Sequence, residues 1–143
     1  MGSAKLIRDA LITILTDGDP KNSAGKGLTT ILKGEPPKHR YPSFPFGWIQ
    51  WTGGPITPSS MAAKNKVTDN FFIVVVDKYP DEKKVEDSML SFYDSIEALL
   101  DNDLTITGTV ASSWVTNREV DRFFMGDYSM AGLRITLQCR KRE

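Results

Sequence analysis

The chain has 143 residues, 18 basic and 18 acidic side chains, zero formal net charge, one cysteine and one histidine. That balance leaves no overall field to attract nucleic acid or an anionic membrane, and a lone Cys139 excludes an internal disulfide and suits a reducing compartment. The length predicts one domain over residues 1–143, burying about 68–70% of its unfolded surface. No apolar run approaches the ~20 residues of a membrane-spanning helix, and no signal-peptide pattern opens the chain.

Lys5–Thr16 carries Leu6, Ile7, Ala10, Leu11, Ile14 and Leu15 at helical spacing, which predicts an amphipathic helix closed by the turn Asp17-Gly18-Asp19-Pro20. Lys21–Gly27 reads as a flexible loop, and Leu28–Lys33 as a first strand ended by Gly34-Glu35-Pro36-Pro37. From His39 to Trp51, prolines alternate with aromatics. The segment either packs over the core and leads into a strand at Gly47–Thr52, or presents an adhesive surface, since Tyr and Trp are enriched at interface hot spots. Trp48 and Trp51 differ in strand parity, so they do not share a face in a simple alternation.

Residues 53–67 form a long polar connection, expected to project or to order against a partner. Phe71–Val76 is a run of six aromatic and β-branched residues, which predicts a central strand buried on both faces. Pro80, Asp81 and Glu82 suit the first turn of a helix over about 81–100. Its apolar stripe is Val85, Met89, Phe92, Ile96 and Leu99, with Tyr93 and Leu100 beside it. Leu104–Val115 reads as a strand bent at Gly108, Thr116–Asp121 as a polar turn, and Arg122–Met125 as a further strand closed by Gly126-Asp127. Leu133–Cys139 alternates cleanly as a half-buried closing strand that makes Cys139 a core residue. The order of elements predicts an α+β fold: a mixed or mainly antiparallel sheet, the long helix packed across it and a shorter N-terminal helix.

No catalytic, cofactor-binding or metal-ligating constellation emerges, and the chain is not expected to be an enzyme. His39 lies beside no motif for a nucleophile, and one Cys with one His makes no zinc site. Ala24-Gly25-Lys26-Gly27 fails the phosphate-loop pattern, because Pro20 and Gly27 stand where Gly and Ser or Thr are required. Asp17–Asp19 lacks the later ligands of a calcium loop.

In pattern and order the chain resembles the tail-terminator (tail-completion) proteins of long-tailed bacteriophages and related proviruses. The likeness rests on the helix Leu6–Thr16, Tyr41-Pro42 ahead of a strand, and Phe71–Val76 running into the acidic-start helix Asp81–Leu100. It continues through Asp103-Leu104-Thr105-Ile106-Thr107-Gly108-Thr109-Val110, and through Tyr128-Ser129-Met130-Ala131-Gly132 before the final strand. The Pro- and Trp-rich region from Pro36 to Pro58 departs from the usual economy of those proteins.

The resemblance implies a structural virion protein that caps the head-proximal end of a tail tube as a ring, typically of six subunits. Such a ring ends tube polymerisation and offers a surface for head joining. Its implied partners are further copies of itself, the tail tube protein and the head-completion complex, with DNA only passing through the lumen. Assembly takes place in the host cytoplasm. Tyr41, Phe44, Trp48 and Trp51, with Thr57, Met61, Lys64 and Lys66 of the long connection, are the expected contacts, and Trp114, close to an expected strand end, reads either as a further contact or as core. The alternatives are another neck or tail component, or a small ligand-binding α+β domain.

Overall fold

The computed structural model describes residues 4–58, 65–79, 83–125 and 128–141. The fold is α+β. Helix α1 (Ala4–Gly18) is followed by β1 (Ile31–Leu32), a single 3-10 turn at Lys38–Arg40, β2 (Phe46–Gly53), β3 (Ile56–Pro58) and β4 (Asn65–Tyr79). Helix α2 (Lys83–Asn102), β5 (Val110–Met125) and β6 (Tyr128–Lys141) complete the chain. The strands lie in the order β1-β2-β4-β6-β5, with β3 paired to the start of β4. Only β1 against β2 is parallel; the other pairs are antiparallel.

The run at 71–76 occupies the centre, between β2 and β6, and both its faces are covered. Phe71, Ile73 and Val75 meet the helices, packing with Ile7, Leu11 and Leu15 of α1 and with Met89, Phe92 and Ile96 of α2. Phe72, Val74 and Val76 face the other way and meet Phe46, Trp48, Tyr41, Phe44 and Met130. The second layer over the sheet is therefore not a helix but the Pro-rich aromatic segment. The period of two along one strand decides which cover each residue receives.

The long helix buries Val85, Met89, Phe92 and Ile96 of the predicted stripe, with Tyr93 and Leu100 beside them, while Leu99 is only partly buried. Its described part begins at Lys83, and Pro80, Asp81 and Glu82 lie outside the described residues. In α1, Ile7, Leu11 and Leu15 are buried at four-residue steps. Its C-terminal end approaches α2 so closely that a Cβ on Gly18 would lie 2.4 Å from the Leu99 side chain.

Five local expectations are corrected. Leu104–Thr109 is not strand: β5 starts at Val110, after a turn in which Ile106, Thr107 and Gly108 have φ of 48°, 55° and 77°. Two residues with β-branched side chains accept left-handed backbone there because other interactions compensate. Asp103 Oδ2 accepts the Thr107 N–H at 2.8 Å, and fully buried Ile106 anchors the turn to the core.

Thr116–Asp121 is the interior of β5, paired with β6 on one side and open on the other. Its polar composition is that of an edge strand, which charged side chains protect from adventitious pairing. The connection 53–67 is not loop throughout, because Ile56–Pro58 pairs antiparallel with Asn65–Val67.

Lys21–Gly27 is a pinned loop. Buried Asn22 accepts the N–H groups of Ala24 and Lys26 at 2.9 Å and donates to Asp77 at 3.1 Å. The Ser23 and Ser88 hydroxyls lie 3.0 Å apart, which ties the same loop to α2. A similar shortening affects the first strand, which is reduced from 28–33 to Ile31–Leu32. Thr29 still donates to Pro45 O at 2.8 Å, and Gly47 to Thr30 O at 3.1 Å.

Candidate interaction surfaces

The aromatic segment is held by its own rings. Tyr41 meets Phe46 edge-on with centroids 4.9 Å apart, Phe44 lies 5.5 Å from Phe46, and Phe46 lies 6.0 Å from Trp48. These separations are those of stabilising aromatic pairs. Trp48 is 6% exposed and Trp51 54%, on opposite sides of β2, as their parity requires. Tyr41 and Phe44 are half-buried against the second face. Of the four expected aromatic contacts, Trp51 is thus the one that stands out from the surface. Its indole N–H donates to buried Asp69 at 3.0 Å, which fixes the ring's orientation. The backbone of Thr57 and Lys66 belongs to the β3–β4 hairpin, while Met61 and Lys64 lie outside the described residues.

A hollow of about 370 Å³ opens on the second face, floored by Tyr41, Trp48, Phe72 and Val74 and rimmed by Glu35, Asp121 and Arg134. Trp48 Nε1 is buried there with no hydrogen-bond partner among the described residues. Arg134 lies 4.8 Å above the Phe72 ring and pairs with Glu119 of the edge strand. Burial, and then Glu35, raise the Tyr41 phenol above its ordinary pKa.

On the helix-bearing face, two hollows follow the seam between α2 and β5. One, of about 490 Å³, is bounded by Tyr93, Glu97, Leu104, Trp114 and Val115. The other, of about 540 Å³, lies between Met89 and Leu90 of the helix and Val120 and Arg122 of the strand. Arg118 sits 4.6 Å over the Tyr93 ring between them. Burial raises the Tyr93 phenol's pKa, a hydrogen bond with Glu97 adds to the rise, and Arg118 opposes it.

Cys139 is fully buried beside Asp69; burial, and secondarily Asp69, push its thiol up to about 12. That is the opposite of an activated nucleophile. His39 is exposed. Among the described residues no group of His, Cys, Asp and Glu has the arrangement of a metal site, and no helix is long and apolar enough to cross a membrane.

Among the described residues, the exposed large apolar side chains other than Leu6 divide between two opposite flanks of the sheet. Trp51 and Ile56 lie on the β2–β3 flank, and Leu90, Leu104, Trp114 and Val120 on the β5–α2 flank, with Leu6 apart on α1. Sequence reasoning found Trp51 from its residue type. It also raised Trp114, which is 44% exposed, but missed the rest of the second flank, because a turn assigned at Thr116–Asp121 hid the long edge strand that presents it.

No family model and no curated protein matches the chain. The solved structures it matches include a chain described as the virion of a native gene transfer agent (GTA) particle. That chain is 12% identical, with 80% of each chain covered and a TM-score of 0.48. At that level the likeness carries nothing about assembly or function.

Proposed function

We propose that this chain is a structural, non-catalytic protein that associates with copies of itself in a ring and terminates a virus tail tube at its head-proximal end. The support is the family resemblance of its element order together with one structural observation. Among the described residues, its exposed large apolar side chains other than Leu6 form two different patches on opposite flanks of the sheet. Two unlike patches on opposite sides favour head-to-tail contacts, which close into a ring when the rotation between subunits permits and otherwise propagate. One face of such a ring binds the last ring of tube protein, and the other receives the head-completion complex. DNA crosses the lumen without a sequence-specific site.

Removing the protein from the assembling virus is expected to give tails of unregulated length that fail to join heads. Normal length and normal joining in its absence refute the proposal. If the labelled protein lies along the whole tube in electron micrographs, it is a tube subunit instead. A second reading, a small ligand-binding domain, is favoured by the hollow that contains the unpartnered Trp48 N–H. That reading predicts a stable monomer with no affinity for tail tubes.

A further inference from the structure

The two flanks match in more than apolar content. Among the described residues β1 pairs with Gly47 and Trp48 and no strand pairs with the outer edge of β2 from Ile49 onward, so that edge is open there. Following the pairs across the sheet, Gln50 lies in one row with Phe72, Thr136 and Asn117, and Trp51 in one row with Phe71, Leu137 and Val115. Ile56 lies further along, beyond the row of Thr68, Arg140 and Ser112. The open stretch of the β2–β3 flank is therefore level with the first half of β5, from Val110 to Asn117. That half contains no charged residue, whereas Arg118, Glu119, Asp121 and Arg122 protect the second half.

The faces correspond as well. Trp51 pairs with Phe71, and Ile56 pairs with Val67, which shares the parity of Phe71, so both sit on the helix-bearing side. The hollow formed by Tyr93, Leu104 and Val115 opens on that same side, at the same level. Strands β2 and β5 run in opposite senses within the sheet, each neighbouring pair between them being antiparallel. In-plane repetition of the subunit thus brings β5 against the next copy's β2 antiparallel.

We infer that the uncharged half of β5 accepts the open β2–β3 edge of a second copy of this chain as an added antiparallel strand, with Trp51 and Ile56 seated in the Tyr93–Leu104–Val115 hollow. This deepens the ring proposal and rests on it. Main-chain hydrogen bonds supply the join, and the two apolar side chains set its register. The charged half of β5 leaves the edge only partly adhesive, which suits a subunit that assembles on a tube end rather than in free solution.

The test uses full-length protein assembled on tails, in a Cys139→Ala background, treated with a short bis-maleimide. With Gln50→Cys and Asn117→Cys combined, the expected product is a ladder of cross-linked species ending at the ring. Either cysteine alone is expected to give no ladder. Ile56→Ser is expected to weaken association with tails roughly thirtyfold, the loss of an interface hot spot, without altering the monomer's melting temperature. Trp51→Ser is a second probe, although it also removes the partner of buried Asp69. A dimer cross-linked by Asn117→Cys alone indicates a two-fold β5–β5 contact and overturns the inference. So does the absence of a ladder on tails whose length and joining are normal, an outcome that leaves the terminator reading standing. If deleting the protein leaves tail length normal, the terminator reading falls instead.

Discussion

The two faces of β4 make the instructive comparison in this molecule. Alternate residues of one uniform apolar run are buried, but one set lies under two helices and the other under a short aromatic segment. The helix side combines many buried side chains from α1, α2 and four strands in one cluster. The second side has five buried residues, with Tyr41, Phe44, Leu32 and Phe72 only partly covered, and it holds an unpartnered indole N–H. Burial of a strand's residue thus says little about how much its cover contributes. A helix brings apolar side chains every three or four residues, whereas a Pro-rich segment brings a few large rings on a backbone with little internal hydrogen bonding beyond the Arg40 N–H to Pro37 O turn.

The largest expected effects test that asymmetry. Phe71→Ala on the helix side and Phe46→Ala on the second side both empty fully buried ring sites. Each is expected to cost about 3–5 kcal/mol in denaturant unfolding. Phe44→Ala, at the half-buried margin of the second side, is expected to cost about 1–2 kcal/mol. A Phe46→Ala cost below that of Phe44→Ala would mean that the aromatic cover is an appendage rather than a core.

Cys139 sharpens the comparison through pH. Its thiol is held at about 12 in the folded protein against an ordinary value of 9.0. Between these values the unfolded chain has released a proton that the folded chain retains. This contribution is therefore intact below pH 9 and is lost as pH rises from 9 towards 12, with a limiting slope of about 1.4 kcal/mol per unit. Cys139→Ala is expected to flatten this part of the alkaline stability profile, measured against wild type at each pH. The buried thiol is also expected to resist alkylation at pH 8 until the protein unfolds. Rapid alkylation of the native protein would show that the helix-side core is open at this end.

Much of this architecture is legible in the residues. The central run, both helical stripes and the closing alternation at Leu133–Cys139 lie where period and composition place them, because each is dominated by burial of a regular element. The misses share a different cause. Leu104–Thr109 is composed like a strand, yet Asp103 hydrogen bonds and the burial of Ile106 support a left-handed turn. Thr116–Asp121 is composed like a turn, yet it is an edge strand whose polar residues face water or pair across it. In both places one side-chain contact or a position at the sheet margin overrides local preference. The candidate surfaces followed suit: aromatic type identified Trp51 and raised Trp114, but Leu90, Leu104 and Val120 of the opposite flank required knowledge that β5 is an edge.

Asp103→Ala tests the first of those overrides. It removes the acceptor for the Thr107 N–H, and also that for the Thr105 hydroxyl at 3.2 Å. A loss of about 1–2 kcal/mol is expected, comparable to removal of a helix-capping side chain. Asn at this position is expected to recover most of it. If alanine is neutral, the turn is held by Ile106 alone, and Ile106→Ala should then be the more damaging change.

The smallest effect concerns the wet margin of the second face. Glu119 and Arg134 pair across β5 and β6 with side chains 42% and 39% exposed. At that exposure, solvent and salt screen the Coulomb term, and a double-mutant cycle is expected to return a coupling of about 0.2–1 kcal/mol that shrinks in high salt. Arg134→Ala alone is expected to cost more than that coupling, because the guanidinium also covers the Phe72 ring at 4.8 Å. Arg134→Met separates the two contributions, since it keeps most of the contact with Phe72 while deleting the charge. Near-wild-type stability in Arg134→Met, with a clear loss in Arg134→Ala, would assign Arg134 to the aromatic cover. Equal losses in both would assign it to the ion pair, and the second face would then owe its edge to charge rather than packing.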